Sequence, residues 1–214
     1  MAVEVKICGL TRPEDAATAV AAGASYLGVV FAGGPRLVDV GRAADIAAAG
    51  GGVPVFGVFG AQPAEEILRL CAAAGLRAAQ LHGPYPRDTA ARLRAAGLRV
   101  WRVARIADER HVDAVADLAE DADAVLVEPL VAGALGGTGV SLSLTIARAA
   151  RQRLRHHRMV LGGGLTPDTV GEAAGLVQPE VVDVSSGVER QPGIKDPDKI
   201  ARFLEAVFGH SSTI

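Results

Sequence analysis

The sequence predicts a single-domain α/β protein, a (β/α)8 TIM barrel, and three observations support this fold class. First, a short apolar run, a small-residue loop and an Ala/Leu/Arg-rich helical segment follow one another eight times in 214 residues. This repeat of about 27 residues is short but feasible for a barrel that usually takes about 250 residues. Second, the apolar runs are continuous, as expected of parallel strands covered on both faces. Third, prolines begin and glycines end several helical segments.

Each element follows from this pattern. The predicted strands are Val3–Cys8, Tyr26–Phe31, Val55–Phe59, Ala78–Leu81, Val100–Ile106, Ala124–Glu128, Met159–Leu161 and Val181–Val184. The predicted helices are Pro13–Ala22, Arg42–Ala49, Ala64–Ala74, Pro86–Ala96, Asp108–Ala119, Leu144–Leu154, Pro167–Ala174 and Asp196–Phe208. Prolines suit the first helical turn, where the missing N–H costs nothing, and glycines suit helix C-caps. The glycines predicted as C-caps are Gly23, Gly75 and Gly97.

A doubly wound open sheet is the alternative arrangement of the same elements. That fold normally carries a glycine-rich nucleotide-binding loop after its first strand, whereas the first strand here ends in Cys8-Gly9-Leu10-Thr11. The sequence contains no linker and no low-complexity tract. We therefore predict one barrel domain over residues 1–208, followed by a flexible C-terminal tail over residues 209–214.

The composition excludes several classes of protein. Lys plus Arg (22) nearly balances Asp plus Glu (24), so no global basic field predicts nucleic-acid binding. Charged residues Glu4 and Lys6 stand where a signal peptide would need its apolar region, and no uncharged run reaches the roughly 20 residues that cross a bilayer. Cys8 and Cys71 are far apart and form no disulfide framework. We expect a soluble, cytoplasmic protein without membrane contacts.

Two loops late in the chain predict a phosphate site. Met159–Leu161 runs into Gly162-Gly163-Gly164 before a helix expected to open at Thr166, and Val181–Val184 runs into Ser185-Ser186-Gly187. Small residues allow backbone N–H groups to approach an anion, and the loops after strands 7 and 8 of such barrels frequently bind phosphate. Either loop alone is better explained as a tight turn. The two together, at these positions, favour a phosphorylated small-molecule ligand.

Candidate catalytic residues lie at the carboxyl ends of the predicted strands, where the chemistry of such barrels is found. They are Cys8, Arg36, Gln80, His82, Arg102, Glu128 and Asp183. A thiol, a carboxylate and an arginine facing one cavity would provide an acid/base pair and an anion clamp. No Ser/His/Asp order is evident, and the scattered Cys and His residues lack metal-ligand spacing.

A structural role is the alternative for each candidate. Cys71, inside an Ala-rich helical segment, is best explained as a buried apolar residue, whereas a glycine-containing loop follows Cys8 and favours function there. Glu128 ends a strand, which argues against a solvated helix charge. For Arg36 the two interpretations, an exposed loop residue and a ligand-binding residue, are equally supported by the sequence. For His82 the structural role is favoured.

These residues resemble the phosphoribosylanthranilate isomerase family over nearly the whole chain. The resemblance rests on blocks that occur in the family's order: Val5–Thr11 with Glu14-Asp15-Ala16, Gly28–Phe31 with Pro35-Arg36, Gln80–Gly83, Gly136–Gly139, Gly163–Pro167, and last Asp183–Glu189 followed by Gly193–Asp196. The first and last blocks are specific, whereas Gly136-Gly137-Thr138-Gly139 alone would be weak. Their common order makes chance similarity a poor explanation.

The resemblance implies an Amadori rearrangement of N-(5-phosphoribosyl)anthranilate without a cofactor or metal. In the family, a cysteine at the end of strand 1 is the general base, an acid at the end of strand 6 is the general acid, and an arginine after strand 2 faces the anthranilate carboxylate. These positions are Cys8, Glu128 and Arg36, and Asp183 would lie near the reacting end. The phosphate would lie on the backbone at Gly163, Gly164, Ser185, Ser186 and Gly187.

This chain departs from the family pattern at three places. Glu128 replaces the usual aspartate, Gly34 replaces the serine common before Pro-Arg, and Val140–Ser143 replaces a Lys and Phe-Asp-Trp-like stretch. Two alternatives therefore stay open. One is a histidine-pathway or dual-substrate sugar-phosphate isomerase, and the other is a non-catalytic barrel that binds a phosphorylated ligand. We expect a monomer because no exposed apolar stripe is evident.

Overall fold

The computed structural model describes residues 2–131 and 139–210, and it forms a closed parallel barrel. Its strands are β1 (Glu4–Ile7), β2 (Tyr26–Val30), β3 (Val55–Phe59), β4 (Ala78–Leu81), β5 (Arg99–Ile106), β6 (Ala124–Pro129), β7 (Met159–Leu161) and β8 (Val181–Val184). They pair in chain order, and β8 closes on β1 with Lys6 opposite Asp183. The predicted fold class is therefore confirmed.

Helices surround the barrel as predicted. They are α1 (Pro13–Ala21), α2 (Val40–Ala49), α3 (Ala64–Ala73), α4 (Arg87–Ala95), α5 (Val115–Ala119), α6 (Leu144–Arg153), α7 (Val170–Val177) and α8 (Pro197–His210). The three glycines predicted as C-caps have φ values of +102°, +68° and +87° at Gly23, Gly75 and Gly97. Left-handed backbone of this kind favours glycine because it has no Cβ.

Successive side chains along each strand point alternately into the barrel and toward the helices, which gives two apolar layers. Val5 and Ile7 of β1 belong to the layer between the barrel and the helices. Tyr26, Phe56 and Trp101, all near the amino-terminal strand ends, form the interior layer with smaller apolar residues. The ring centroids of Phe56 and Trp101 are 4.0 Å apart, and those of Tyr26 and Trp101 are 5.2 Å apart. These rings fill the barrel below the carboxyl-terminal strand ends and leave that end for polar side chains.

Two helices differ from the prediction. The segment expected as one helix over Asp108–Ala119 divides into a 3-10 turn, Glu109–His111, and the short helix α5. The Asp108 side chain accepts the backbone N–H of Arg110, which caps the turn. Helix α7 begins at Val170 rather than Pro167, because Thr169 Oγ1 accepts the N–H of Thr166 and holds residues 166–169 in a turn.

A β-hairpin after β8 was not predicted. Its strands are β9 (Glu189–Gln191) and β10 (Ile194–Lys195), which pair antiparallel. Helix α8 continues to His210, beyond the predicted boundary at residue 208, while residues 211–214 of the predicted tail lie outside the described residues. Gly136, Gly137 and Thr138 also lie outside them. No described helix is long and apolar enough to span a membrane.

Candidate active site

The carboxyl end of the barrel gathers most of the predicted site residues. Cys8 follows β1, His82 follows β4, Glu128 lies on β6 and Asp183 lies on β8. Cys8, His82 and Glu128 are between 4% and 8% exposed. The predicted strand-end arginine is corrected. Arg102 bonds Asp121 at 2.9 Å and the carbonyl of Tyr85 at 3.0 Å.

Arg105 is the arginine of β5 that reaches the site. It lies an odd number of residues from Arg102 and therefore on the opposite face of the strand. Its Nε is 3.7 Å from Glu128 Oε1, and its Nη2 donates to the carbonyl of Val131 at 2.8 Å. The sequence did not separate the two arginines, because apolar residues flank both faces of this strand.

Glu128 is held in a polar corner of the barrel mouth. Its Oε1 lies 2.9 Å from His82 Nε2, and both atoms are buried. The two atoms are in close contact but are not hydrogen-bonded to each other. The structural role favoured for His82 from the sequence is therefore incomplete, because its ring touches the carboxyl group expected to be the acid.

Cys8 occupies a pocket made by a glycine on the next strand. A Cβ built on Gly28 would lie 2.8 Å from Cys8 Sγ and 3.2 Å from Lys6 Nζ. Gly28 therefore leaves the space in which the thiol and the ammonium meet. Burial raises the pKa of the Cys8 thiol, Lys6 lowers it and Asp183 raises it, and the balance lies above the ordinary value.

Lys6 is a buried cation that sequence reasoning did not assign to the site. Its Nζ donates to Asp183 Oδ1 at 2.7 Å and to Gln80 Oε1 at 3.0 Å. Burial alone would lower the pKa of Lys6, but Asp183 and Cys8 raise it above its ordinary value, so Lys6 remains an ammonium. The signal available in the sequence was its position two residues before Cys8, which puts both side chains on one face of β1.

Arg36 is fixed by a carboxylate from the unpredicted hairpin. Its Nε and Nη2 donate to Glu189 Oε1 and Oε2 at 2.7 and 2.6 Å. Lys195 Nζ donates to the same Oε1 at 2.9 Å and to the carbonyl of Ser185 at 3.1 Å. Glu189 thus occupies one edge of the guanidinium and leaves Nη1 as the edge that can meet a ligand. Glu189 and Lys195 were not predicted, because nothing in their spacing connects them to Arg36.

The two predicted phosphate loops lie against each other. A Cβ on Gly187 would lie 1.9 Å from the carbonyl oxygen of Leu165, so only glycine allows this approach. Gly163 and Gly164 have φ values of +88° and +65°. Ser185 Oγ is buried and has no hydrogen-bond partner among the described residues. Because α7 begins only at Val170, the expected helix N-terminus is not adjacent to Gly163 and Gly164, and the anion would depend on the loops.

The residues present can perform acid/base chemistry on a phosphorylated anion. A thiol beside an ammonium and a carboxyl group beside a histidine face the same barrel mouth, and an arginine edge and two small-residue loops adjoin it. Within residues 2–131 and 139–210, no group of three or more His, Cys, Asp or Glu side chains could hold a metal ion.

The comparisons agree with this arrangement. The profile of the family described as N-(5'-phosphoribosyl)anthranilate (PRA) isomerase matches residues 5–206. The Symbiobacterium thermophilum N-(5'-phosphoribosyl)anthranilate isomerase is 40% identical, with 96% of this chain and 98% of the relative covered. A monomer form of the dimeric Thermotoga maritima phosphoribosylanthranilate isomerase superposes with a TM-score of 0.85 at 33% identity, covering 97% of this chain and 99% of that one.

A further solved structure carries a ligand. It is a phosphoribosyl anthranilate isomerase in complex with reduced 1-(o-carboxyphenylamino)-1-deoxyribulose 5-phosphate, 32% identical with a TM-score of 0.83, and it covers 97% of this chain and 99% of that one. The family profile spans nearly the whole chain, and the relatives match along their full length. The chain therefore belongs to the N-(5'-phosphoribosyl)anthranilate isomerase family.

Proposed function

We propose that this protein isomerises N-(5'-phosphoribosyl)anthranilate to 1-(2-carboxyphenylamino)-1-deoxyribulose 5-phosphate in tryptophan biosynthesis. The observation that carries the proposal is that a buried thiol, Cys8, and a buried carboxyl group, Glu128, both lie at the carboxyl end of the barrel. Family membership and the ligand described for the solved relative support the substrate. The reaction oxidises C2′ and reduces C1′ within the same molecule, so it needs proton transfers but no external oxidant or reductant.

The proposed chemistry assigns one proton transfer to each group. Glu128, as the acid, protonates the furanose ring oxygen, which breaks the C1′–O bond and leaves a Schiff base between C1′ and the anthranilate nitrogen. Cys8, as thiolate, removes the C2′ proton and gives an enolamine. Protonation of C1′ and loss of the O2′ proton then complete the ketone. His82 and Arg105 contact Glu128 and hold the orientation of its carboxyl group.

Binding is assigned to groups that surround this pair. The free Nη1 edge of Arg36 suits the anthranilate carboxylate, since planar guanidinium groups match carboxylate geometry. The backbone of Gly163, Gly164, Ser186 and Gly187, with the unpartnered Ser185 hydroxyl, suits the phosphate. Asp183 bonds Lys6 beneath this region and would lie near the reacting carbons.

The loop after β3 favours a substrate with one phosphate over the bisphosphate-like alternative of the histidine pathway. Gln62 Oε1 accepts the N–H groups of Gly60 and Ala61 at 3.0 and 3.2 Å, and its Nε2 donates to the carbonyl of Phe31 at 2.8 Å. The side chain therefore occupies backbone N–H groups of this loop that would otherwise be available to bind a second phosphate. This favours the tryptophan-pathway reaction, and the non-catalytic barrel remains an outcome of the experiment below.

We also propose that the protein acts as a cytoplasmic monomer. Its two cysteines, Cys8 and Cys71, are free and buried, which suits a reducing compartment. The large exposed apolar side chains of the described residues are divided between loops and outer helices; they are Leu37, Leu130, Val140, Leu176 and Phe208. This division supports a monomer, because a stable dimer interface usually needs a contiguous apolar patch.

Growth of two auxotrophic bacterial strains tests the function. One strain lacks its phosphoribosylanthranilate isomerase and the other lacks its histidine-pathway ribotide isomerase, and each receives the wild-type or the Cys8→Ala gene. We expect wild type to rescue growth without tryptophan only, and Cys8→Ala to rescue neither strain. Rescue without histidine would support the dual-substrate alternative. Failure of the expressed, folded wild-type protein to rescue either strain would support the non-catalytic barrel.

A further inference from the structure

The interior of the barrel contains a cation that is completely removed from water. The Lys6 side chain is 0% exposed, and it points to the same side as Cys8, the first residue after β1. An ammonium group is rarely buried without strong partners, because desolvation disfavours its charged form. Its bonds to Asp183 and Gln80 use two of its three N–H donors. The third N–H remains for the neighbouring thiol.

A cluster of five charged side chains lies beside Cys8, and the charges of four of them, Lys6, Asp183, Arg36 and Lys195, act on the thiol directly. Lys6 and Asp183 come from β1 and β8, Arg36 from the loop after β2, and Glu189 and Lys195 from the hairpin. The cations outnumber the anions by one, so the cluster carries an excess positive charge while Cys8 is a thiol. Loss of the thiol proton makes the cluster neutral.

The contacts divide this cluster into two parts. Arg36 and Lys195 form one part, because both donate hydrogen bonds to the carboxylate of Glu189. Lys6 instead shares with Cys8 the space that Gly28 leaves open. Lys6 is thus the cation in direct contact with the thiol, and Asp183 is the anion that competes with the thiolate for it.

We propose that Lys6 is a positioning residue for the reaction: its buried ammonium stabilises the thiolate of Cys8 and thereby makes this thiol a base, while Asp183 opposes it. The proposal rests on the proposed function in taking Cys8 as the base. Burial raises the pKa of Cys8 and Lys6 counteracts that rise, so the thiolate is less populated without Lys6 and more populated without the charge of Asp183.

Thiolate absorbance near 240 nm tests this without any turnover. The titrated protein carries Cys71→Ala, so that Cys8 is its only thiol. The same protein with Cys8→Ser is titrated as the baseline, and subtracting it removes the absorbance change caused by tyrosine ionisation. We expect Lys6→Met to raise the Cys8 midpoint by at least about one pH unit, a tenfold loss of thiolate at a given pH. Asp183→Asn should lower the midpoint. Lys199→Met, which removes an ammonium bonded to the carbonyl of Glu189, should leave it unchanged.

A double variant keeps the proposal testable if Lys6→Met alone does not fold. Lys6→Met leaves Asp183 buried without its cation, whereas Lys6→Met with Asp183→Asn leaves neither charge. We expect the double variant to show at least tenfold less thiolate than Asp183→Asn alone at the same pH. Equal thiolate populations in these two proteins, or an unchanged midpoint in folded Lys6→Met, would overturn the role of Lys6. A wild-type enzyme without turnover would instead contradict the proposed function, which keeps the two failures distinguishable.

Discussion

At the scale of single residues, Glu128 is the departure from the family pattern with the clearest structural consequence. Its carboxyl oxygen lies 2.9 Å from His82 Nε2 and 3.7 Å from Arg105 Nε. The longer side chain therefore reaches the histidine that follows β4 and an arginine on β5. These two contacts fix the position of the longer side chain.

Shortening this acid should preserve the reaction, and removing it should not. We expect Glu128→Asp to stay within about tenfold of wild type, or to exceed it, since the family's usual reach is restored. Glu128→Ala should lose at least about 100-fold in kcat, because no other described carboxyl group contacts His82. Steady-state kinetics with freshly generated substrate measure both. Wild-type kcat in the alanine variant would remove Glu128 from the mechanism.

The sequence predicted some of these residues and not others for a physical reason. Cys8 and Glu128 could be found because each ends an apolar run and precedes a loop. Lys6 and Arg105 lie within strands whose two faces are both apolar, so periodicity did not reveal which side chains point inward. Only the pairing of neighbouring strands fixed that direction and separated Arg105 from Arg102.

At the scale of elements, the close contact of the loops after β7 and β8 shapes the expected phosphate site. Gly187 lies against the carbonyl of Leu165, where a side chain would collide with backbone. The sequence predicted both loops from their small residues. It did not predict the start of α7 at Val170, because Pro167 is also a common first helical residue, nor the hairpin strands of two and three residues, which are too short to show a pattern.

Adding one methyl group should separate these two loops. Gly187→Ala should raise KM at least about tenfold and lower the melting temperature by several degrees, because a Cβ at 1.9 Å from a backbone oxygen forces the backbone to move. Gly41→Ala is the matched control, since its Cβ would meet Asp39 Oδ1 at an ordinary 3.5 Å. Calorimetry and kinetics measure the two effects. Identical behaviour of the two variants would contradict the close contact.

At the scale of the whole molecule, a buried ion network ties distant parts of the chain together. The carboxylate of Glu189 forms ion pairs with Arg36 of the loop after β2 and with Lys195 of the hairpin. The backbone N–H of Lys195 donates to Asp15 of α1. Such long-range ties were not predictable from the sequence, because spacing along the chain carries no information about them. The barrel itself was predictable, because its period repeats through the whole chain.

This network should make stability depend on pH in the acid range. Burial of itself raises the pKa of Glu189, but Arg36 and Lys195 outweigh burial and hold it below the ordinary value. The folded state therefore favours the carboxylate, so its stabilisation is present above the unfolded pKa of about 4.3 and is lost as pH falls through the lower folded value. Urea unfolding between pH 7 and pH 3 should show this loss, and Glu189→Gln should reduce the dependence. An equally steep dependence in that variant would exclude Glu189 as its source.

The oligomeric state is a second property of the whole molecule. We expect sedimentation equilibrium to give a mass near the 21.9 kDa of one chain at micromolar concentration, because the exposed apolar side chains are divided between loops and outer helices. The Thermotoga maritima relative is described as dimeric, so association occurs within the family. A concentration-independent mass of twice the chain would contradict the monomer.

The turnover of N-(5'-phosphoribosyl)anthranilate by purified protein tests the central claim most directly. The decay of anthranilate-type fluorescence is followed after the substrate is generated freshly, for wild type and Cys8→Ala side by side. We predict a rapid decay with wild type and a loss of at least about 100-fold with Cys8→Ala, because the base that removes the C2′ proton is absent. Equal decay in the two proteins would contradict the role of Cys8, and no decay above the uncatalysed rate with folded wild type would contradict the isomerase itself.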